Sequence, residues 1–232
     1  MFGTRSNHPS LRAVIFDLDG LMVGSEPLAE RAWNQVLACY GHRLDSQMFS
    51  DILGLRVVDS ARLICQHFRL IISPQEAADE RDRLFLEAVP TRLRACTGLY
   101  PLLDELADRG LPLGIATSGH RRYVTLALRT LAIESFFQAI ATGDEVARGK
   151  PAPDVYLLAA GRLGVPPACC LVLEDAPLGV AAARAAGMVC VAVPNPWIAS
   201  RDFSEAHQVF LSLEEVREAL DDLLGDQCSV TR

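Results

Sequence analysis

The 232-residue sequence has almost no lysine: arginine occurs 21 times and lysine once, at Lys150. A chain that otherwise uses arginine has kept one compact ammonium, a point charge that a planar guanidinium fork does not replace. Positive charge as a whole is in deficit, with 22 basic against 29 acidic residues and a net charge of −7. That balance argues against nucleic acid and anionic membranes as partners, and it requires any anionic ligand to find a local cation-rich site. Long apolar runs are missing. The most apolar stretch, 176–193, is interrupted by Arg184 and several glycines and is too short to span a bilayer. The opening residues, MFGTRSNHPSL, lack the apolar segment of a secretion signal. The seven cysteines are odd in number and include no CxxC pair, which argues against a disulfide framework and for a reducing, cytoplasmic location. The five histidines show no ligand spacing, and there is neither an internal repeat nor a low-complexity tract.

Half the residues are hydrophobic and 22% are charged, so a sizeable core is expected. The length suits one domain with a modest insertion. Short apolar runs rich in β-branched and aliphatic residues occur at 13–17, 113–117, 139–143, 170–174 and 189–193 and read as buried strands of a parallel sheet. Helical patterns lie between the later runs, at 120–131, 154–163 and 178–186, and a last one at 213–224 closes the chain. This alternation predicts a doubly wound α/β fold whose ligand site lies at the carboxyl ends of the strands. Residues 25–40, 57–68 and 73–89 break the alternation. They are amphipathic helical patterns with no strand between them, and Ser73-Pro-Gln-Glu76 is a helix-start signature. The expected organisation is therefore a discontinuous core, 1–22 and 94–232, carrying an all-helical insert at 23–93.

The chemistry-bearing residues fall at the predicted strand ends. Asp17 and Asp19 follow the first strand, where alternate residues share a face, and two close carboxylates need a cation or a proton between them. Thr117 and Ser118 end the second strand just before a helix, where hydroxyls and free N–H groups suit a phosphate. Lys150 lies in Arg148-Gly-Lys-Pro-Ala-Pro-Asp154, whose glycine and prolines restrict the backbone. Glu174 and Asp175 end another strand and offer the hard oxygen ligands that Mg²⁺ prefers. Each motif alone also fits an ordinary turn or helix cap. Their coincidence on one edge of one sheet is what points to a site. Trp33, Met22 and Met188 read as core residues, and His120 is placed where it could reach a ligand.

Asp17-Leu-Asp19, Thr117, Lys150 and Glu174-Asp175 resemble, in order and type, the four motifs of the haloacid dehalogenase superfamily, over about residues 14–223. DLDGLMVGSEP, GKPAPDVY and LEDAPLGVAAARAAGM are similar to its β-phosphoglucomutase-like phosphatases, and 174–194 is similar to pseudouridine-5′-phosphatase and sugar-phosphate phosphatases. The resemblance implies a Rossmann-like core, a four-helix cap and a Mg²⁺-dependent phosphatase acting on a small phosphorylated metabolite. It implies that Asp17 is the nucleophile and Asp19 the acid and base. It implies that Thr117, Ser118 and Lys150 hold the phosphoryl group, and that Asp17, the Asp19 carbonyl, Asp175 and Glu174 surround the metal. Ser25, Glu26, Trp33 and Arg56 are the implied substrate contacts. The sequence departs from the subgroup at Gly24, where an acid is common, and at Val57, where β-phosphoglucomutase is basic. The alternatives are a sugar-phosphate mutase, which Val57 argues against, and a phospho-accepting regulatory domain, which the helical insert argues against. A monomer is the default expectation, with a dimer as the alternative.

Overall fold

A computed structural model describes residues 10–198 and 201–225; His8 and Cys228 lie outside them. β1 (Ala13–Phe16) is followed by four helices with no intervening strand: α1 (Glu26–Ala38), α2 (Ser46–Ile52), α3 (Val57–Phe68) and α4 (Pro74–Arg92). The alternation then resumes with α5 (Leu99–Asp108), β2 (Leu113–Ala116), α6 (Arg121–Thr130), β3 (Ala139–Ala141), α7 (Asp154–Leu163), β4 (Cys170–Glu174), α8 (Pro177–Ala185) and β5 (Val189–Ala192). β6 (Gln208–Val209), α9 (Leu213–Glu218) and α10 (Leu220–Leu224) close the described chain. No helix of the described residues is long and apolar enough to cross a membrane.

The strands form one parallel sheet in the order β3-β2-β1-β4-β5-β6, with Val14 level with both Leu113 and Leu171. All four residues of β1 are fully buried, as a central strand covered on both faces must be. Alternation sorts them: Val14 and Phe16 join Leu113, Ile115, Leu171 and Leu173 on one face, while Ala13 and Ile15 join Ala116 and Val172 on the other. Each large side chain so buried contributes about 1.5–3 kcal/mol. The chain winds outward from β1 through β2 to β3, then returns to β4 on the other side of β1. This reversal opens a crevice at the carboxyl ends of β1 and β4.

The four helices of the insert have their own apolar cluster, including Trp33, Leu37, Phe49, Ile52 and Ile64. Two chain passages join them to the sheet. Cys96 N donates to Met22 O, Gly24 N donates to Arg94 O, and Val23 bridges Ala95. A side chain at Gly24 would meet nothing within 4 Å, so the residue answers no steric demand. The helix start at Ser73 is a full capping box: Ser73 Oγ accepts from Glu76 N, and Glu76 accepts from Ser73 N. α4 nevertheless runs through Pro90 to Arg92, beyond the expected end at 89.

Three elements differ from the sequence expectation. α2 is one short helix of seven residues, too brief for periodicity to reveal, and it begins where Asp45 caps Met48 N. α5 has apolar residues at helical spacing (Leu99, Leu102, Leu103 and Leu106), but Gly98 and Pro101 in the same stretch read as turn residues. The closing helix expected at 213–224 divides at Ala219.

Candidate active site

Asp17 follows β1 directly, and its N–H donates to Leu173 O, fixing the loop against the end of β4. Its side chain is buried, and Oδ1 accepts from Lys150 Nζ at 2.5 Å. Oδ2 accepts no hydrogen bond among the described residues, although Asp17 lines the cavity between the sheet and the four helices. Lys150 also donates to Glu174 Oε1 at 2.5 Å and stands 4.9 Å from the centroid of Tyr156. Burial works against the charged ammonium, but the two carboxylates outweigh it and its pKa is raised. The chain's one lysine is thus a buried cation between two carboxyl groups.

Glu174 has no free valence. Oε1 accepts from Lys150 and from Tyr156 OH at 2.6 Å, and Oε2 accepts from the N–H groups of Asp175 (2.9 Å) and Ala176 (3.0 Å). A Cβ at Gly179 would lie 1.6 Å from Oε1, so only glycine lets α8 approach this carboxylate. Asp175 Oδ2 accepts from Asn195 Nδ2 at 3.2 Å, and the same amide donates to Glu26 Oε1. Gly20, at φ 81°, passes so close that a Cβ would be 1.9 Å from Asp175 Oδ2.

Asp19 is held differently. Oδ1 accepts from Ser25 Oγ and from Tyr123 OH, both at 2.6 Å, while Oδ2 has only a long 3.5 Å contact from Thr117 Oγ1. Thr117 Oγ1 in turn accepts from Gly119 N at 3.0 Å.

The carboxylates outnumber the cation. Burial pushes Asp17 up to about 8 against the pull of Lys150, with Glu174 and Asp19 adding to the rise. Burial, then Glu174 and Asp17, push Asp175 well above the carboxylate range, and burial pushes Glu26 up to about 7. One oxygen from each of Asp17, Glu174 and Asp175 lies within 4.8 Å of the others. This donor set fits a divalent cation: buried anions in excess of Lys150 need more positive charge than the protein supplies. Asp17 and Asp175 each retain an uncommitted oxygen for it, whereas Glu174 is saturated by donors and acts on Lys150.

The structure brings Asp17, Asp19, Ser25, Glu26, Thr117, Ser118, Lys150, Glu174 and Asp175 to one cavity. Two sequence-expected contacts turn elsewhere. Ser118 Oγ donates to Gly54 O at 2.7 Å, joining the strand-end loop to the helical insert. Arg56 does not line the cavity. Its Nη1 donates to Val146 O and Ala147 O at 3.3 Å, and its Nε pairs with Asp59 at 2.6 Å. Trp33 is both core and cavity wall. His120 caps α6 by accepting from Tyr123 N, and its Nε2 lies 3.0 Å from Asp82. Sequence reasoning missed Tyr123, Tyr156, Asn195 and Arg81. Of these, Asn195 was reachable, since it follows β5 as the other site residues follow their strands.

A family model for haloacid dehalogenase-like hydrolases matches residues 11–187. The chain is 36% identical over 209 residues to a probable pseudouridine-5′-phosphatase of Drosophila melanogaster, covering 88% of this chain and 90% of the relative. It is 35% identical over 182 residues to the fructose-1-phosphate phosphatase YqaB of Escherichia coli, covering 78% and 95%. Among solved structures, CbbY of Rhodobacter sphaeroides in complex with phosphate superposes with a TM-score of 0.82 at 26% identity, over 89% of this chain and 96% of that one.

Proposed function

The chain belongs to the haloacid dehalogenase-like hydrolases and is a phosphoric monoester hydrolase, and we propose that it cleaves a sugar or nucleoside monophosphate through a phosphoryl group carried on Asp17. The observation that carries this reading is the asymmetry of Asp17: Oδ1 is bound to Lys150 and Oδ2 is uncommitted at the cavity. Relatives named for a nucleoside phosphate and for a sugar phosphate support the substrate range.

In this mechanism Asp17 Oδ2 attacks phosphorus and the ester P–O bond breaks. The leaving oxygen takes a proton from Asp19. Oδ2 is the oxygen placed to pass it on, because Ser25 and Tyr123 already donate to Oδ1. Asp19 then receives a proton from the water that attacks the phosphorus, the bond between phosphorus and Asp17 Oδ2 breaks, and phosphate leaves. Lys150 stays charged and balances the phosphoryl oxygens, while Glu174 and Tyr156 keep it in place. Mg²⁺, held by Asp17 and Asp175, supplies the remaining positive charge when it is bound. Residues 23–93 serve as a cap that excludes water from the core formed by the described residues of 1–22 and 94–232.

The test is inorganic phosphate release from sugar phosphates, nucleoside monophosphates and phenyl phosphate, with Mg²⁺ and after chelation. Release that needs Mg²⁺, together with a trapped phosphate on Asp17 after rapid acid quench, is expected. Release that is indifferent to chelation removes the metal assignment, and phosphate trapped on another residue removes Asp17.

A further inference from the structure

Asn195 takes no part in the mechanism above, yet it is buried and lies between two of the cavity's carboxyl groups. It follows the end of β5, at the carboxyl edge of the sheet. Its Oδ1 accepts from Trp197 N at 3.0 Å. That bond fixes the direction of the amide and turns Nδ2, with its two hydrogens, towards the carboxyls. Nδ2 donates to Asp175 Oδ2 at 3.2 Å and also to Glu26 Oε1. Asp175 and Glu26 line the cavity, whereas Asn195 does not, so it acts through its partners rather than on a ligand. Nδ2 is the one hydrogen-bond donor to the Asp175 carboxyl among the described residues. It also separates two buried acids whose like charges would otherwise repel. The loop after β1 is shaped around this pair, since a Cβ on Gly20 would come 2.3 Å from Asn195 Nδ2. Loop packing accounts for the rest of the segment: the Trp197 ring meets Phe49 edge-on at 5.5 Å, and Arg201 pairs with Asp51. Packing alone does not call for an amide aimed at Asp175.

We propose that Asn195 is the positioning residue of the cation site: its amide engages Oδ2 of Asp175 and thereby presents Oδ1 to the divalent cation. The inference rests on the cation assignment of the phosphatase reading and adds to it a residue that touches neither cation nor ester. Partners that hold a metal ligand in place set its direction and its basicity, and losing one costs about 10- to 100-fold in metal affinity.

The test is Mn²⁺ binding in the absence of any ester, read from the electron paramagnetic resonance signal of the free ion. Wild type should bind an ion that Asp175→Asn does not. Asn195→Ala should bind it about 10- to 100-fold more weakly. Asn195→Ser keeps a donor on a shorter arm and should lose less. Phosphate release from phenyl phosphate by Asn195→Ala should need correspondingly more Mg²⁺ and approach the wild-type rate once Mg²⁺ saturates. A role confined to packing would not be repaired by added cation. Unchanged Mn²⁺ affinity in Asn195→Ala overturns the inference and leaves the phosphatase reading intact, as does a loss of rate that Mg²⁺ does not restore. If Asn195→Ala does not fold, Asn195→Ser decides on the same two readouts. A wild type that releases phosphate but binds no Mn²⁺ removes the cation assignment, and the inference with it.

Discussion

The two walls of the cavity are built on opposite terms. On the sheet side, Lys150, Glu174 and Asp19 Oδ1 are tied by short hydrogen bonds to Asp17 at the end of β1, to Tyr156 of α7, to Tyr123 of α6 and to Ser25 before α1. Asp17 Oδ2 and Asp19 Oδ2, to which the proposed mechanism gives the chemistry, are left nearly free, as is one oxygen of Asp175. On the insert side the wall is built mainly from apolar side chains, among them Trp33, Ile52 and Phe85, and its one cation, Arg81, is already clamped to Asp82. Preorganised charge costs little reorganisation during reaction and acts on the phosphoryl group that every substrate shares. Apolar contact acts on the rest of the ester, the part that differs between substrates. Under the proposed function, the strand ends carry the reaction and the insert the choice of ester.

Asp17→Asn should break the sheet side completely. It keeps the volume and removes the anionic nucleophile, so phosphate release should fall by about 10⁴-fold or more on every ester. Circular dichroism should show an unchanged fold, since the substitution relieves the crowding of buried carboxylates. Residual activity near wild type would move the nucleophile elsewhere. Lys150→Ala should cost about 10²–10³-fold, because the phosphoryl charge and Glu174 lose their common counter-charge. Uniformity is the sharper part of that prediction. A loss confined to some esters would mean that the sheet side also selects substrates, and the division between the walls would fail.

How much of this was legible in the sequence follows the same division. Strand ends are local signals, so Asp17, Thr117, Glu174 and Asp175 could be placed by finding where apolar runs stop. The scarcity of lysine pointed to Lys150 before any contact was known. Tyr123 and Tyr156 were illegible because each lies on a helix face, 104 and 18 residues from the carboxylate it serves. Their rings carry no signal of that role, and both are buried. Arg81 gave no signal at all: it sits in a helix crowded with charge, and only the fold decides which of those side chains turns inward. Arg56 was expected as a substrate contact from the family resemblance, whereas its direction sends it to backbone carbonyls of the core loop. Sequence position locates a loop; side-chain direction needs the packed neighbours.

The smallest expected effect tests the seam between the two walls. Arg56 grips the carbonyls of Val146 and Ala147, and the preceding residue, Glu145, anchors that segment. Glu145 accepts from Arg162 at 2.8 Å, Arg121 at 2.6 Å and Thr142 N at 3.0 Å. The Arg162 hydrogen bonds, with those of Thr142 and Arg121 and against the opposing effect of burial, hold its pKa well below the ordinary 4.5. A folded-state pKa below the unfolded value gives stability that is complete above the unfolded pKa and is lost as pH falls towards the folded one. The network is partly exposed, so Glu145→Gln should cost only about 1 kcal/mol at neutral pH. That corresponds to a fall of about 2–4 °C in Tm. Thermal melts of wild type and variant should converge as the pH is lowered below about 4.5, where the unfolded chain takes up its proton. A gap that stays constant through that range would assign the loss to geometry rather than charge. A fall in kcat at neutral pH would show that the seam reaches the reacting groups, and the two walls would then be one device.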